Sequence, residues 1–267
     1  MATSLHAAPD KATIGGFITP TPRTAEIRAE LLATPYSICL ERPRLLEAFW
    51  RSQEGHLAAR TEHPLVQRAL ALKYIFSHRK LRIYDNELII GNMTSKRIAA
   101  NYYIEGGSIN ILEDLFRLNR RAIPLKMSRA ETAELLITGL RNLFRSVGAR
   151  ALLRPGRIGY FLDFFRAKRH FVTEEAGIGH QVGNYRMVVH QGLKSVHEEA
   201  AKRLEEGRLG DGSPLDADQR AFFRSVMITI EGIRQMAQNL AVEAEGLAAR
   251  PGVPEWRRAE LLESAAA

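Results

Sequence analysis

The sequence is poor in cysteine, in long apolar runs and in anything that resembles a leader. Its 267 residues include one cysteine, Cys39, so no disulfide can form within the chain and a disulfide-stapled scaffold is excluded. No run of about 18 apolar residues occurs, so no membrane-spanning helix is predicted. Residues 1–23 lack a basic start followed by an apolar run, so no secretory signal is expected there. A reducing, cytoplasmic location is the expectation.

The remaining composition is typical of a globular protein. Hydrophobic residues make up 45% of the chain and charged residues 25%, which excludes a collagen-like, low-complexity or wholly disordered chain. The length fits one large domain or two ordinary ones. The net charge of +8 permits contact with nucleic acid or anionic substrates without requiring either.

Helical spacing of apolar residues dominates the chain from Thr24 onward. Helices are predicted from Thr24 (as its cap), over 38–50, from Pro64, over 108–119, from Ser128 to about 147, over 184–204, from Asp216 and from Pro254. Glu131 follows Ser128 at the spacing of a capping box. Residues 87–91 follow a turn signal and predict a short buried strand. The fold class is therefore predominantly α-helical with one or a few short strands. Residues 1–23 are predicted to form a flexible arm.

A glycine-rich segment, residues 177–183, precedes the helix predicted over 184–204. A dinucleotide loop needs G-x-G-x-x-G after a strand, but Val182 stands at the third glycine and no strong strand precedes it, so nucleotide binding is disfavoured. The positive end of the following helix favours an anion or a carbonyl oxygen near His180. His180 is therefore either satisfied within the fold or a hydrogen-bond partner for a polar substrate.

The other histidines and the cysteine do not predict a metal site or a nucleophile. His190 and His197 are seven residues apart and are predicted to share a helical face, but helical zinc ligands usually stand four apart. Cys39 has Glu41 two residues on, and residues two apart in a helix point to different faces. Cys39 is predicted to be a small buried side chain. No catalytic, metal or cofactor-binding residue is assigned.

Residues 141–169 combine basic and aromatic side chains. The members are Arg141, Arg145, Arg150, Arg154, Arg157, Arg166, Lys168 and Arg169, with Tyr160, Phe161, Phe164 and Phe165 between them. Single-strand nucleic-acid binding uses such a combination, but the aromatic spacing is also that of a buried helical stripe. A packed helix with a solvated basic face is the favoured interpretation. The alternative function is a non-catalytic helical module that binds a protein partner or nucleic acid through this stretch.

Six segments follow the order of motifs in one known family. They are residues 38–46, 68–72, 85–92, 179–193, 222–232 and 257–262. The more specific ones are D-N-E-L-I-I-G-N at 85–92 and the G-H of 179–180, followed by N-Y at 184–185 and G-L at 192–193. Together these segments resemble the N-terminal part of glycyl radical enzymes, the pyruvate formate-lyase-like family.

The resemblance implies a fold and a chemistry. Residues 24–267 would be a partial pyruvate formate-lyase-like domain, the helical N-terminal part of the α/β ten-stranded glycyl-radical-enzyme barrel. The implied function is radical lyase, dehydratase or decarboxylase chemistry on a small polar substrate in anaerobic metabolism. His180 matches a histidine that lines the substrate pocket in several relatives, so it is the expected substrate-binding residue. Asn184 stands where the family usually has aspartate.

Two family motifs are absent from the sequence, the G-C-x-E loop with the catalytic cysteine and the R-V-x-G-Y site of the glycyl radical. A chain without them is expected to be inert by itself, as a truncated member, a gene fragment or one piece of a split enzyme. The resemblance implies that no cofactor binds this chain, because the family uses a protein glycyl radical installed by a radical-SAM activase. The implied partners are that activase, a separate chain carrying the C-terminal part, and a second copy in a homodimer. Membrane is not expected as a partner, and nucleic acid is the less favoured one.

Overall fold

The structure, a computed structural model, describes residues 21–87, 89–104, 115, 124–143 and 184–267. Within these ranges the elements are α1 (Pro22–Ala33), β1 (Ser37–Cys39), α2 (Glu41–Arg51), α3 (Gln53–Thr61), α4 (Pro64–His78), β2 (Ala99–Asn101), α5 (Arg129–Asn142), α6 (Tyr185–Glu206), α7 (Ala217–Ala248) and α8 (Glu255–Ala266). The prediction of a mainly helical chain with few short strands is confirmed for the described part. None of the helices in these ranges is long and apolar enough to cross a membrane.

Most helix starts follow from local hydrogen bonding. Ser128 and Glu131 form the predicted capping box at α5, and Asp216 caps α7 in the same way with Gln219. The cap of α1 differs from the prediction. Thr21 occupies that position, and the backbone N–H of Thr24 donates to its Oγ1 at 3.2 Å. Pro22 explains the shift, since proline is favoured in the first turn immediately after a cap.

The strand predictions are corrected in two places. Ile38, predicted to lie in a helix, belongs to β1, which pairs in parallel with β2 in the register Ile38 to Ala100. The buried strand predicted over residues 87–91 is not formed by the four of them that the structure describes. The chain reaches them through Asn86 at a φ of 64°, and Ile89 is 92% exposed, so these residues present no buried face to a neighbouring strand.

Helix α7 is the central support of the described part, because it packs along α4 and also contacts α6 and α8. The helices α4 and α7 meet at Gly232, where a Cβ atom would lie 2.7 Å from the Cα of Lys73. The larger core cluster is built around Phe49, Ile38 and Ile75, and a smaller one joins the end of α7 to α8 through Ala244, Ala248 and Leu261.

Candidate functional site

The predicted substrate-binding residue His180 and the glycine-rich segment 177–183 lie outside the described residues. The described chain resumes at Asn184, whose Oδ1 accepts the backbone N–H of Met187 at 3.1 Å and so caps α6. Asparagine and aspartate are equally good helix caps. The asparagine at this position therefore keeps the capping role that an aspartate would have, although it carries no charge.

Helix α6 is interrupted at Gly192, where φ is 72° and ψ is 167°. This conformation is essentially restricted to glycine. The hydroxyl of Ser195 donates to the Gly192 carbonyl oxygen at 2.8 Å and fixes the start of the second segment. The prediction that His190 and His197 share one helical face is therefore wrong, because the regular helix is broken between them.

The two histidines have different surroundings. His190 is exposed, whereas His197 is half-buried and its Nε2 lies 3.8 Å from Oε1 of Glu231 on α7. The ammonium of Lys73 on α4 donates to the other oxygen of Glu231 at 2.6 Å. This hydrogen bond from Lys73, together with the nearby His197, lowers the pKa of Glu231. The trio ties the second segment of α6 to both α7 and α4.

No group of three or more histidine, cysteine, aspartate or glutamate side chains that could hold a metal ion occurs within the described ranges. His190 and His197 belong to no such group there.

Cys39 is 2% exposed and its Sγ lies 3.4 Å from the hydroxyl oxygen of Ser95. Cys39 ends β1, whereas Glu41 begins α2. The prediction that both residues lie in one helix is therefore wrong. The Glu41 carboxylate accepts the backbone N–H of Lys80. A cleft with room for about one water molecule opens beside this pair. Cys39 is a small buried side chain, as predicted.

Of the basic stretch 141–169, only Arg141 among the named side chains lies within the described residues. Its Nη1 is 3.8 Å from Oε2 of Glu47, which connects α5 to α2 at the surface. The interpretation of the remaining basic and aromatic side chains stays a prediction.

Residues 84–87, which include the first three positions of the D-N-E-L-I-I-G-N motif, are held by two arginines from distant parts of the chain. Arg257 of α8 donates to the carbonyl oxygens of Tyr84 at 2.9 Å and Glu87 at 2.6 Å. Arg23 of α1 donates through Nε to the carbonyl oxygen of Asn86 at 2.7 Å. We call residues 84–87 with Arg23 and Arg257 the arginine clamp. It makes three arginine-to-carbonyl contacts, to the carbonyl oxygens of Tyr84, Asn86 and Glu87, within one turn.

A carboxylate holds the two arginines of the clamp together. Both oxygens of Glu260 accept from Arg23, at 2.6 and 2.9 Å, and Arg257 donates to the same carboxylate at 3.1 Å. These hydrogen bonds, that from Arg23 first, lower the pKa of Glu260. Sequence reasoning identified the motif but missed the arginines, because positions 23 and 257 are separated by most of the chain.

Three comparisons with known proteins bear on this arrangement. Residues 19–267 match the family model described as pyruvate formate lyase-like. The (2S)-3-sulfopropanediol dehydratase of Klebsiella oxytoca is 25% identical over 254 residues, which cover 91% of this chain and 29% of that enzyme.

Among solved structures, the glycerol-bound B12-independent glycerol dehydratase from Clostridium butyricum is similar with a TM-score of 0.77 and 25% identity, covering 94% of this chain and 31% of that one. A glycyl radical enzyme from Archaeoglobus fulgidus is similar with a TM-score of 0.72 and 25% identity, covering 90% of this chain and 30% of that one. The chain spans about three-tenths of the length of these relatives.

Proposed function

Because the chain belongs to the pyruvate formate lyase-like family, we propose that it supplies the N-terminal helical portion of a glycyl radical enzyme that dehydrates a small hydroxylated substrate. The observation that carries the proposal is the match of residues 19–267 to the family together with the TM-score of 0.77 to a glycerol dehydratase. Two of the named relatives are dehydratases of small polar molecules that carry hydroxyl groups. This supports dehydration over the other radical reactions of the family.

In this proposal the ten-stranded barrel and the radical-bearing residues are contributed outside residues 1–267. The sequence contains neither G-C-x-E nor R-V-x-G-Y, and its single cysteine is buried against Ser95. A protein glycyl radical, installed by a radical-SAM activase, would supply hydrogen-atom abstraction in the assembled enzyme. This chain lacks both the glycine site that would carry the radical and the cysteine loop that would receive it. In this proposal none of its residues takes part in the radical steps.

The contribution of this chain is to bind and to orient. We propose that His180 hydrogen-bonds a hydroxyl group of the substrate, in keeping with its position in the G-H segment. Contacts of Lys73 and His197 with Glu231 join α4, α7 and the second segment of α6, which follows the G-H segment in the chain. Such contacts matter because a substrate-positioning group must be held to within a fraction of an ångström.

The test combines the purified chain, anaerobically, with a radical-SAM activase and with the polypeptide of the same genome that carries G-C-x-E and R-V-x-G-Y. We expect no glycyl signal by electron paramagnetic resonance from the chain and activase alone. With the second polypeptide present, we expect a glycyl signal, and aldehyde formation from glycerol or sulfopropanediol in an assay coupled to an alcohol dehydrogenase.

Two variants sharpen this test. His180→Gln is expected to lower kcat/KM by about tenfold or more, because a substrate hydrogen bond is lost. His190→Gln is the matched control. Because His190 is exposed, this variant is expected to leave kcat/KM unchanged. Full aldehyde formation by the second polypeptide without this chain, or no association between the two in size-exclusion chromatography, would refute the proposal.

A further inference from the structure

Helix α5 has apolar residues on two opposite sides. One side is buried and carries Leu135, Thr138, Gly139 and Asn142. On the opposite side, every exposed residue from position 130 to position 140 is an alanine, a leucine or an isoleucine. These exposed residues are Ala130, Ala133, Leu136, Ile137 and Leu140. We call these five residues the outer face of α5.

The outer face is continuous along the helix. Positions 133, 136, 137 and 140 follow the spacing i, i+3, i+4 and i+7, which places them on one side of a helix. Leu136, Ile137 and Leu140 are 39%, 47% and 51% exposed. A helix on the surface of a globular protein normally turns polar side chains to water, whereas a helix that is apolar on all sides belongs to the interior of a larger protein. A contiguous apolar surface of this kind is typical of an interaction site.

The charged groups along one edge of the outer face are paired within the chain. Both oxygens of Glu134 accept from Arg44, each at 2.6 Å. Glu47 accepts from Arg51 at 2.9 Å and lies 3.8 Å from Arg141, which stands seven residues after Glu134 on the same side of α5. Because these carboxylates are already neutralised by arginines, the outer face suits an apolar partner surface better than a charged one.

We propose that the outer face of α5 is a docking surface for the remaining part of the pyruvate formate lyase-like domain, which meets it with apolar side chains. This inference rests on the proposed function. The chain covers 29% of the sulfopropanediol dehydratase and 31% of the glycerol dehydratase, so most of each relative has no counterpart here. That missing part is large enough to cover the outer face as one area of a wider contact.

A second copy of this chain is a less suitable occupant. A stable dimer interface buries about 800 Å² and about 20–30 residues on each partner. The outer face supplies five residues, two of them alanines. It is therefore too small to hold two copies together by itself, whereas packing within one domain does not require each surface to be sufficient alone.

The first variant makes the outer face polar without changing its bulk. It combines Ile137→Gln with Leu140→Gln in the full chain. Glutamine is close to leucine in size and is a good helix former. Both side chains are already about half exposed, so the variant is expected to unfold at about the same temperature as the unmodified chain.

The matched control combines Leu57→Gln with Val242→Gln. Leu57 on α3 is 61% exposed and Val242 on α7 is 67% exposed, more than any large side chain of the outer face. Each lies among polar neighbours on its helix, Glu54 and Arg60 for Leu57 and Glu245 for Val242. Single exposed apolar residues of this kind are ordinary on a protein surface.

A second variant, Ala133→Arg, keeps every large apolar side chain and places a charge in the middle of the outer face. Arginine is a good helix former and Ala133 is exposed, so the helix is expected to be retained. Ala59→Arg, at an exposed position of α3, is its control. This variant provides the test if the double glutamine variant does not fold.

The measurement is the Kd between the full chain and the polypeptide that carries G-C-x-E and R-V-x-G-Y, by isothermal titration calorimetry. Both outer-face variants are expected to raise Kd about tenfold or more, because apolar burial is lost in one and a charge is buried in the other. Both controls are expected to leave Kd unchanged. Sedimentation velocity of the chain alone is expected to show a monomer.

The possible failures are distinguishable. Binding by the unmodified chain with the same Kd in the outer-face variants would overturn this inference and leave the proposed function standing. A concentration-dependent dimer of the chain alone that the outer-face variants abolish would assign the face to a second copy and would also overturn it. Absence of binding by the unmodified chain would refute the proposed function, and the inference with it.

Discussion

Glu131 connects the start of α5 to the two-stranded sheet. One carboxylate oxygen accepts the backbone N–H of Ser128 at 2.9 Å, and the other accepts the ammonium of Lys96 at 2.9 Å. Lys96 also donates to the hydroxyl of Ser37 in β1 at 2.9 Å. The hydrogen bond from Lys96, followed by that from Ser128, lowers the pKa of Glu131 from 4.5 to about 2.

A pH dependence follows from this depressed pKa. The folded state binds the proton of Glu131 less tightly than the unfolded state, so the carboxylate stabilises the fold above about pH 4.5 and loses that effect as the pH falls toward about 2. Glu131→Gln should lower the unfolding free energy at pH 7 by about 1–2 kcal/mol, a loss that shrinks below pH 4.5. Urea denaturation at pH 7 and pH 3 measures this.

A control for Glu131 lies one turn further along the same helix. Glu134 pairs with Arg44 at the surface, and exposed pairs contribute little, so Glu134→Gln should cost less than about 1 kcal/mol. If Glu131→Gln lowered the unfolding free energy by the same amount at pH 7 and at pH 3, the lowered pKa of Glu131 could not be the cause.

At the scale of elements, the arginine clamp explains why α1, α8 and the turn at residues 84–87 stay together. Arg257 is 8% exposed, and its guanidinium is satisfied by two carbonyl oxygens and one carboxylate. A planar group with several donors suits this geometry, and lysine could not make the same contacts.

Removing Arg257 should therefore loosen the turn. Arg257→Ala leaves Tyr84, Glu87 and Glu260 without this donor, and we expect a loss of about 2–3 kcal/mol in the unfolding free energy. Amide hydrogen exchange at residues 84–87 should accelerate. Arg258→Ala is the control, since its ion pair with Glu255 is longer, at 3.7 Å, and lies at the surface. Equal protection of residues 84–87 in both variants would rule out the clamp.

The crossing of α4 and α7 depends on the absence of a side chain at Gly232. An added Cβ would stand 2.7 Å from the Cα of Lys73, so Gly232→Ala must push the two helices apart. We expect a loss of about 1–3 kcal/mol for this variant. Gly246→Ala on the same helix meets open space and should instead stabilise by about 0.5–1 kcal/mol. Thermal unfolding of both variants provides the test, and a melting temperature raised by Gly232→Ala would contradict it.

At the scale of the whole described part, α7 joins two separate apolar clusters. Its 32 residues extend over about 48 Å. Near its middle it crosses α4, which contributes Ile75 to the larger cluster, and its end packs with Leu261 of α8 in the smaller one. A cluster of few residues at one end of a long helix can open without the rest.

Truncation of each cluster should therefore have different consequences. Phe49→Ala removes a fully buried ring and leaves a cavity in the larger core cluster. It should therefore lower the unfolding free energy by about 3–5 kcal/mol. Leu261→Ala should mainly accelerate hydrogen exchange in α8 and at residues 84–87, with a small change in the main transition. Hydrogen exchange with mass spectrometry distinguishes the two, and an equal lowering of the main transition by both variants would show that the clusters unfold as one.

The sequence by itself determined the helices whose first turns are stabilised by residues close together in the chain. Three helices begin at local signals, namely Pro64, the capping box of Ser128 and Glu131, and Asp216. Because each signal acts within one turn, these helix starts can be predicted without any distant residue. Family membership was likewise predictable, because the order of several short motifs survives where overall identity is low.

Only the tertiary structure decided the rest, and the reason is distance along the chain. Ile38 becomes a strand residue because β2, about sixty residues later in the chain, lies beside β1 and pairs with it in parallel. The carbonyl oxygens of residues 84–87 receive their donors from Arg23 and Arg257, whose positions no local pattern relates to that turn. The turn at Gly192 separates His190 from His197 although their spacing suits a single helical face. Hydrogen bonds between neighbours are encoded locally, whereas pairings across the fold are selected by the packing of the whole chain.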